Sequence, residues 1–253
     1  MTDTNMLNLL EDLLAKAKAK GADAADAVHI ESQSLAVAQR LGNPEKLERS
    51  ESADIGLRAL VGKRQAIVSS SDINPDALDE LVERVVAMAK SVPEDPYCGL
   101  ADPVLLAQVT EDLDLYDEHE SDAEDLYERA AIAEDAARSH PGITNSEGAD
   151  ASWGSGTVEL ATSHGFSGSY RTSSFSVSAA VVAGEGTAME RDYDYSVARH
   201  LADLEDAGNV GRSAGERTVK RLNPRKAETA QVPLVFDPRI SGRNDGSLFE
   251  RKC

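Results

Sequence analysis

The sequence predicts an α+β protein, because stretches with helical periodicity and stretches with strand periodicity occupy separate parts of the chain. Three observations support this fold class: apolar stripes at helical spacing, a pair of apolar runs joined by a Gly-containing link, and a later stretch rich in Ser, Thr, Gly and β-branched residues. The chain has 253 residues, 41% hydrophobic and 28% charged. That balance is ordinary for a folded protein of one to two domains.

An N-terminal α+β domain is predicted over residues 1–92. Its first helix carries apolar residues at helical spacing and ends near Gly21. An extended stretch follows, and then the apolar runs 55–61 and 65–69, which are separated by Gly62. Two such runs around a short Gly-containing link predict a β-hairpin.

A second helix closes this predicted domain. Asn74 is suited to the N-cap position and Pro75 to the first helical turn, where its missing N–H costs nothing. The apolar stripe of this helix continues to Ala89, and Pro93 lies just past its end. Residues 93–121 contain three prolines and little periodicity, and they are predicted to be a connector.

A middle domain is predicted over residues 122–226. It begins with an amphipathic helix over residues 122–140 and continues into an antiparallel β-meander of three or four strands over residues 143–191. A third flanking helix is expected near residues 206–222. Its basic run is interpreted as a solvated helix face, in keeping with the usual place of charge runs.

Residues 227–253 are predicted to be the truncated start of a C-terminal domain. The apolar run 232–236 predicts an opening strand, but the last 14 residues contain no pattern that a core could use. A strand that opens a domain needs partners. We therefore expect the chain to be truncated or frame-shifted near Gly242.

The charge balance argues against several classes of partner. Lys and Arg number 26 against 45 Asp and Glu, giving a formal net charge of -19. Such a surface repels phosphate backbones and anionic headgroups, so we expect no nucleic-acid and no membrane partner. The sequence has no 20-residue apolar stretch and no secretory signal pattern. Cys98 and Cys253 lie far apart, as expected in a reducing cytoplasm.

Residues that could carry chemistry are sparse. The five histidines lie outside ligand spacing from one another and from the cysteines, which excludes a zinc finger or an HExxH helix. Glycine-rich pieces lack the context of a phosphate-binding loop, and no GxSxG elbow occurs. We assign no catalytic residue and no metal ligand, and expect no cofactor in this chain.

The most unusual segment joins acidic, basic and phenolic side chains: Arg191, Asp192, Tyr193, Asp194 and Tyr195. Tyrosine can bury its ring while its hydroxyl remains hydrogen-bonded, which suits a contact with a partner or a peptide. Strand alternation would place both aspartates on one face and both tyrosines on the other. An ordinary strand end is an equally good interpretation of the segment.

Several short motifs occur in a specific order and spacing. In the N-terminal part, GLRALVGKRQ, then SSSD, then PEDPY resemble the first domain of the TldD/PmbA family. The later motifs GEG, MERDYDYS, RLNPRK and VFDPR are similar to the PmbA (TldE) branch in particular. The resemblance extends from residue 1 to about residue 242.

The resemblance implies a bacterial cytoplasmic metallopeptidase system, also known as a modulator of DNA gyrase, that acts on short or unstructured polypeptides. It implies a TldD-type subunit that carries the zinc site and a PmbA-type subunit that pairs with it. The family's metal ligands lie in a C-terminal domain, and residues from Arg243 onward do not match that domain. No catalytic residue is transferred to this chain.

The sequence leaves three functions open. The first is a non-catalytic partner subunit that frames a substrate cavity, contacts the TldD-type subunit and holds peptide at a strand edge of the meander. The second is an intact peptidase with an unrecognised metal site. The third is an acidic binding protein that modulates DNA gyrase by imitating DNA.

Overall fold

The computed structural model describes residues 3–107, 111–226, 228–231, 233 and 235–239. It divides into two units, Met1–Leu222 and Asn223–Cys253. The described part of the first unit contains four helices and six strands. The helices are α1 (Asp3–Ala19), α2 (Pro75–Ser91), α3 (Ala123–Arg138) and α4 (Ala207–Lys220), and the strands are β1 (Ala24–Arg40), β2 (Asn43–Val61), β3 (Arg64–Ser70), β4 (Ile143–Thr162), β5 (Ser167–Ala183) and β6 (Glu190–Ala198).

The six strands form one antiparallel sheet in the order β3-β2-β1-β4-β5-β6. This confirms the α+β class and the hairpin around Gly62. The meander, predicted with three or four strands over residues 143–191, has three strands, and its third strand, β6, lies mainly beyond residue 191. Gly62 has a φ of +60°, a conformation that glycine adopts without steric cost. Strands from both sides of residue 92 join the same sheet, because β1 pairs directly with β4. The proposed domain boundaries remain a prediction.

All four helices pack on one face of the sheet, in two pairs. Helices α1 and α2 bury an apolar cluster against β1, β2 and β3, and α3 and α4 bury a second cluster against β4 and β5. Alternate β1 residues such as Ala27 and Val37 enter these two clusters. The opposite side, here called the open face, contains exposed Ile30, Ile67 and Tyr170. None of the described helices packs on it.

Helix α2 begins where the sequence predicts, but for a different local reason. Asn74 occupies the N-cap position without a capping hydrogen bond from its side chain. Its Nδ2 atom instead donates to Asp72 Oδ1 at 2.6 Å. The start of α2 is therefore explained by Pro75 in the first turn and by the buried apolar stripe of the helix, without a side-chain cap.

A buried carboxylate joins α3 to the turn between β1 and β2. Glu134 is 0% exposed, and its Oε1 accepts from Leu41 N at 2.7 Å and Ser146 Oγ at 2.6 Å. Its Oε2 accepts from Gly42 N at 3.1 Å and Gln39 Nε2 at 3.0 Å. Burial acts to raise the pKa of Glu134, but these four hydrogen bonds outweigh it and lower that pKa below 4.5.

The connector contains a 3₁₀ turn at Pro103–Leu105 and then follows the outer edge of β5. Within the second unit, Arg239 Nε lies 3.2 Å from Asp237 Oδ1. The strand predicted over residues 232–236 includes Val232 and Leu234, which lie outside the described residues. In the described part of the chain, no helix has both the length and the apolar character that a membrane crossing requires.

Candidate contact surface

The segment with the two tyrosines lies on β6, at one edge of the sheet. Its residues alternate between the two faces, as strand geometry predicts. Asp192 and Asp194 point to the helix side, where they contact α4. Tyr193 and Tyr195 point to the open face and are 42% and 44% exposed.

The acidic side of β6 is engaged inside the molecule. Asp192 is 8% exposed and its Oδ2 accepts from Arg221 Nε at 2.7 Å. Asp194 Oδ2 lies 3.3 Å from Arg217 Nε and accepts a hydrogen bond from Ser213. The basic run is therefore not only a solvated face, since two of its arginines neutralise the aspartates of β6. These carboxylates fasten β6 to α4 and to Arg221 just past its end.

The aromatic side of β6 forms an exposed stripe. We call Arg191, Tyr193, Tyr195 and Val197 the β6 stripe; all four lie on the open face. The two phenol rings stack, with centroids 6.2 Å apart and planes inclined by 21°. Arg191 Nη1 lies 2.9 Å from Glu147 Oε2 at the surface. Stacking and strand packing limit the freedom of the rings, so a partner would order them at low entropic cost.

Small side chains fill the middle of the open face beside this stripe. The register places Ser34, Gly154 and Ser174 side by side on β1, β4 and β5. Ser152 and Ser176 form a hydroxyl pair at 2.7 Å. The β6 stripe therefore borders a surface of small side chains that a second molecule can approach closely.

One buried hydroxyl organises the edge of β5 beyond the end of β6. Ser173 is 1% exposed; its Oγ donates to Arg199 O at 2.6 Å and accepts from Asp117 N at 2.8 Å. Its backbone N donates to Leu115 O at 3.0 Å. The hydrogen bonds that Asp117 accepts from the His119 and Leu201 backbones lower its pKa. Through these hydrogen bonds, Leu115 and Asp117 attach the connector to the sheet.

A buried histidine–carboxylate pair lies on the helix-facing side of the sheet. His29 Nδ1 is 2.7 Å from Glu159 Oε2, and both side chains are nearly fully buried. The two residues are direct cross-strand neighbours on β1 and β4. No local sequence pattern indicates this pair, because 130 positions separate its members. Among the described residues, no cluster of three or more potential metal ligands occurs.

The comparisons with known proteins agree in their assignment. Residues 25–89 match the family model for PmbA/TldA metallopeptidase domain 1, and residues 116–222 match the central domain of the same family. The two matches together cover more than half of the chain. The chain is 34% identical over 224 residues to the metalloprotease PmbA of Escherichia coli O157:H7, covering 88% of this chain and 49% of that protein.

A PmbA homologue from Haemophilus influenzae is 34% identical over 80% of this chain and 45% of its own length. The chain thus spans about half the length of the curated relatives it matches. A Bacteroides thetaiotaomicron structure, described as a candidate modulator of DNA gyrase, superposes with a TM-score of 0.86 at 24% identity, covering 96% of this chain and 56% of that one.

TldE from Thermococcus kodakarensis superposes with a TM-score of 0.73 at 17% identity, covering 83% of this chain and 47% of its own. At these identities the solved structures establish the fold. The two family models and the 34% identity to metalloprotease PmbA establish more: the chain belongs to the PmbA/TldD metallopeptidase family, in its PmbA branch.

Proposed function

We propose that this chain is part of the partner-type, non-catalytic subunit of a cytoplasmic TldD/PmbA metallopeptidase system that acts on short or unstructured polypeptides. The β6 stripe carries the proposal. Tyr193 and Tyr195 are exposed on the open face while their acidic neighbours are held against α4. Tyrosines that combine apolar area with a polar hydroxyl are typical of protein interfaces.

In this proposal the TldD-type subunit holds the zinc ion and performs the chemistry, and this chain frames the space in which the polypeptide lies. The sheet supports that role because β3 and β6 terminate it. The outer edge of a terminal strand carries unpaired main-chain groups that can align an extended peptide. On β6 the backbone N–H groups of Tyr193 and Tyr195 already donate to Asp192 Oδ1 and Asp194 Oδ1. Strand β6 pairs with β5 only from Phe175 to Ala183, so the start of β5 is the outer edge of the meander that a peptide can use.

Co-purification tests the proposal. The chain is expressed with a TldD-type protein from the same genome, and we expect the two to elute together. The variant Tyr193→Ser/Tyr195→Ser should weaken this association at least about tenfold if the pair is an interface anchor. Tyr97→Ser, at a tyrosine 94% exposed on the connector, is the matched control and should associate normally. Absence of association by the unaltered chain would refute the partner role.

Modulation of DNA gyrase is the second candidate, and the net charge of -19 favours it. A protein that imitates DNA should inhibit supercoiling, and the inhibition should weaken as salt screens the contact. Strand β2 has the longest exposed run, but its charges alternate in sign through Glu45, Lys46, Glu48 and Arg49. That pattern does not resemble a phosphate backbone, so the peptidase role has the better support.

A further inference from the structure

A cavity of about 900 Å³ lies between the connector and the N-terminal end of β5. We call it the wedge. One wall is connector residues 111–116, and the other is the part of β5 that extends beyond β6. The floor is apolar and belongs to the open face or to the β4–β5 turn; its residues are Val28, Val158, Leu160, Phe166 and Tyr170. A cavity of this size and apolar character is typical of ligand sites.

The β5 wall has main-chain groups available for pairing. Strand β6 pairs with β5 only from Phe175 to Ala183, and the backbone N of Ser173 donates to the connector at Leu115. Because N–H groups alternate sides in an antiparallel strand, Ser169 and Arg171 direct theirs away from β4, as Ser173 does. Within the described part of the chain, no backbone group pairs with these outward positions.

The connector wall has a net negative charge. It contains Glu111, Asp112 and Asp114, of which Asp114 lies 3.3 Å from His200 Nε2. The cation on the opposite wall, Arg171, is turned onto Tyr116, with its guanidinium carbon 3.6 Å from the ring centroid. The wedge therefore combines an unpaired strand edge, an apolar floor and an acidic wall.

We infer that the wedge binds an extended polypeptide segment with an apolar or aromatic side chain flanked by lysine or arginine. The segment pairs with the outward main chain of Ser169 and Arg171 and places its apolar side chain on the floor. Its basic residues face the acidic wall. This inference rests on the proposed function and deepens it, because it assigns a place and a residue preference to the polypeptide.

Fluorescence anisotropy with the purified 253-residue chain tests the wedge. The probe is a fluorescein-labelled pentapeptide of sequence Lys-Phe-Lys-Val-Lys with an amidated C-terminus, and a second probe has Glu at each Lys position. We expect saturable binding of the basic probe and at least about tenfold weaker binding of the acidic one. Equal binding of both probes, or binding of neither, would overturn the inference.

Two pairs of variants locate the binding. Glu111→Lys/Asp112→Lys should weaken binding of the basic probe about tenfold, whereas Glu45→Lys/Glu48→Lys changes the net charge equally on β2 and should retain it. Equal losses in both charge variants would mean a non-specific charge effect and would overturn the site.

At the floor, Tyr170→Ser should also weaken binding about tenfold, and Tyr97→Ser should not. Tyr170 is exposed, so folding of its variant is expected to be retained, and far-UV circular dichroism checks it. If the chain binds peptide but does not associate with a TldD-type protein, the partner role is refuted and the wedge is supported as a peptide site. If it associates but does not bind peptide, the wedge inference is refuted and the partner role is supported.

Discussion

The substitution Glu134→Gln probes how strongly one buried carboxylate holds the sheet to α3. Its two oxygens accept four hydrogen bonds, two from the β1–β2 turn, one from β1 and one from β4. Glutamine has nearly the same shape but presents an NH₂ group where one oxygen stood. Two of the four donors would then face another donor.

The magnitude follows from those two lost bonds. A hydrogen bond to a charged group contributes about 1.5–3 kcal/mol, so Glu134→Gln should lower the free energy of unfolding by about 3–6 kcal/mol. With a urea m-value of about 2–3 kcal/mol/M, the unfolding midpoint falls by about 1–3 M. Glu128→Gln changes an exposed residue of the same helix and should leave the midpoint within about 0.2 M.

The pH dependence of the unfolding free energy provides a second test of Glu134→Gln. The pKa of Glu134 is lower in the folded chain than its ordinary value of 4.5, so its stabilisation is complete above pH 4.5. That stabilisation is lost as the pH falls through the lowered folded pKa. The difference between the wild type and Glu134→Gln should therefore shrink below pH 4.5. A midpoint unchanged at neutral pH, or a difference that grows in acid, would refute this account of the carboxylate.

Three further changes should have distinct effects. Gly211→Ala places a Cβ 2.0 Å from a backbone carbonyl of α3 and should cost about 1–3 kcal/mol in urea unfolding; Gly99→Ala, with open space around it, should cost far less. The hydrogen bond from the His200 imidazole to a connector carbonyl raises the pKa of His200 above 6.5. The stabilisation that protonated His200 gives to the fold is therefore present below pH 6.5 and lost as the pH rises through the raised pKa. Melting temperatures between about pH 6 and 8 should show this fall, and His200→Gln should flatten it. Asp192→Asn removes the negative charge beside Arg221 and should cost about 1 kcal/mol, because the guanidinium is more than half exposed and water screens the pair; a loss of secondary structure in circular dichroism would contradict that estimate.

Local chemistry in the sequence predicted most of the elements. Apolar stripes identified the helices, Gly62 identified the hairpin turn, and alternation placed Asp192 and Tyr193 on opposite faces of one strand. Each of these signals depends on neighbours within a few residues. For that reason they could be found without knowledge of the tertiary structure.

The features that depend on distant pairing could not be predicted. The β1–β4 ladder joins residues more than 100 positions apart, and it merges the two predicted α+β units into one sheet. The wedge likewise exists only because the connector returns to the β5 edge at Ser173. The sequence does contain one indication that Glu134 is buried: it follows Ala130 by one helical turn and is the one acidic residue in the buried stripe of α3. Its four partners come from three other segments, and the sequence does not show that they meet there.

The central claim, a PmbA-type partner subunit whose chemistry lies in another chain, is tested most directly by where zinc elutes. The chain, a TldD-type protein from the same genome and their mixture are each passed over a size-exclusion column with elemental detection of zinc. We expect zinc in the TldD-type peak and in a larger peak that contains both proteins, with none in the peak of this chain alone. Stoichiometric zinc in the peak of this chain alone, with no larger species in the mixture, would contradict it.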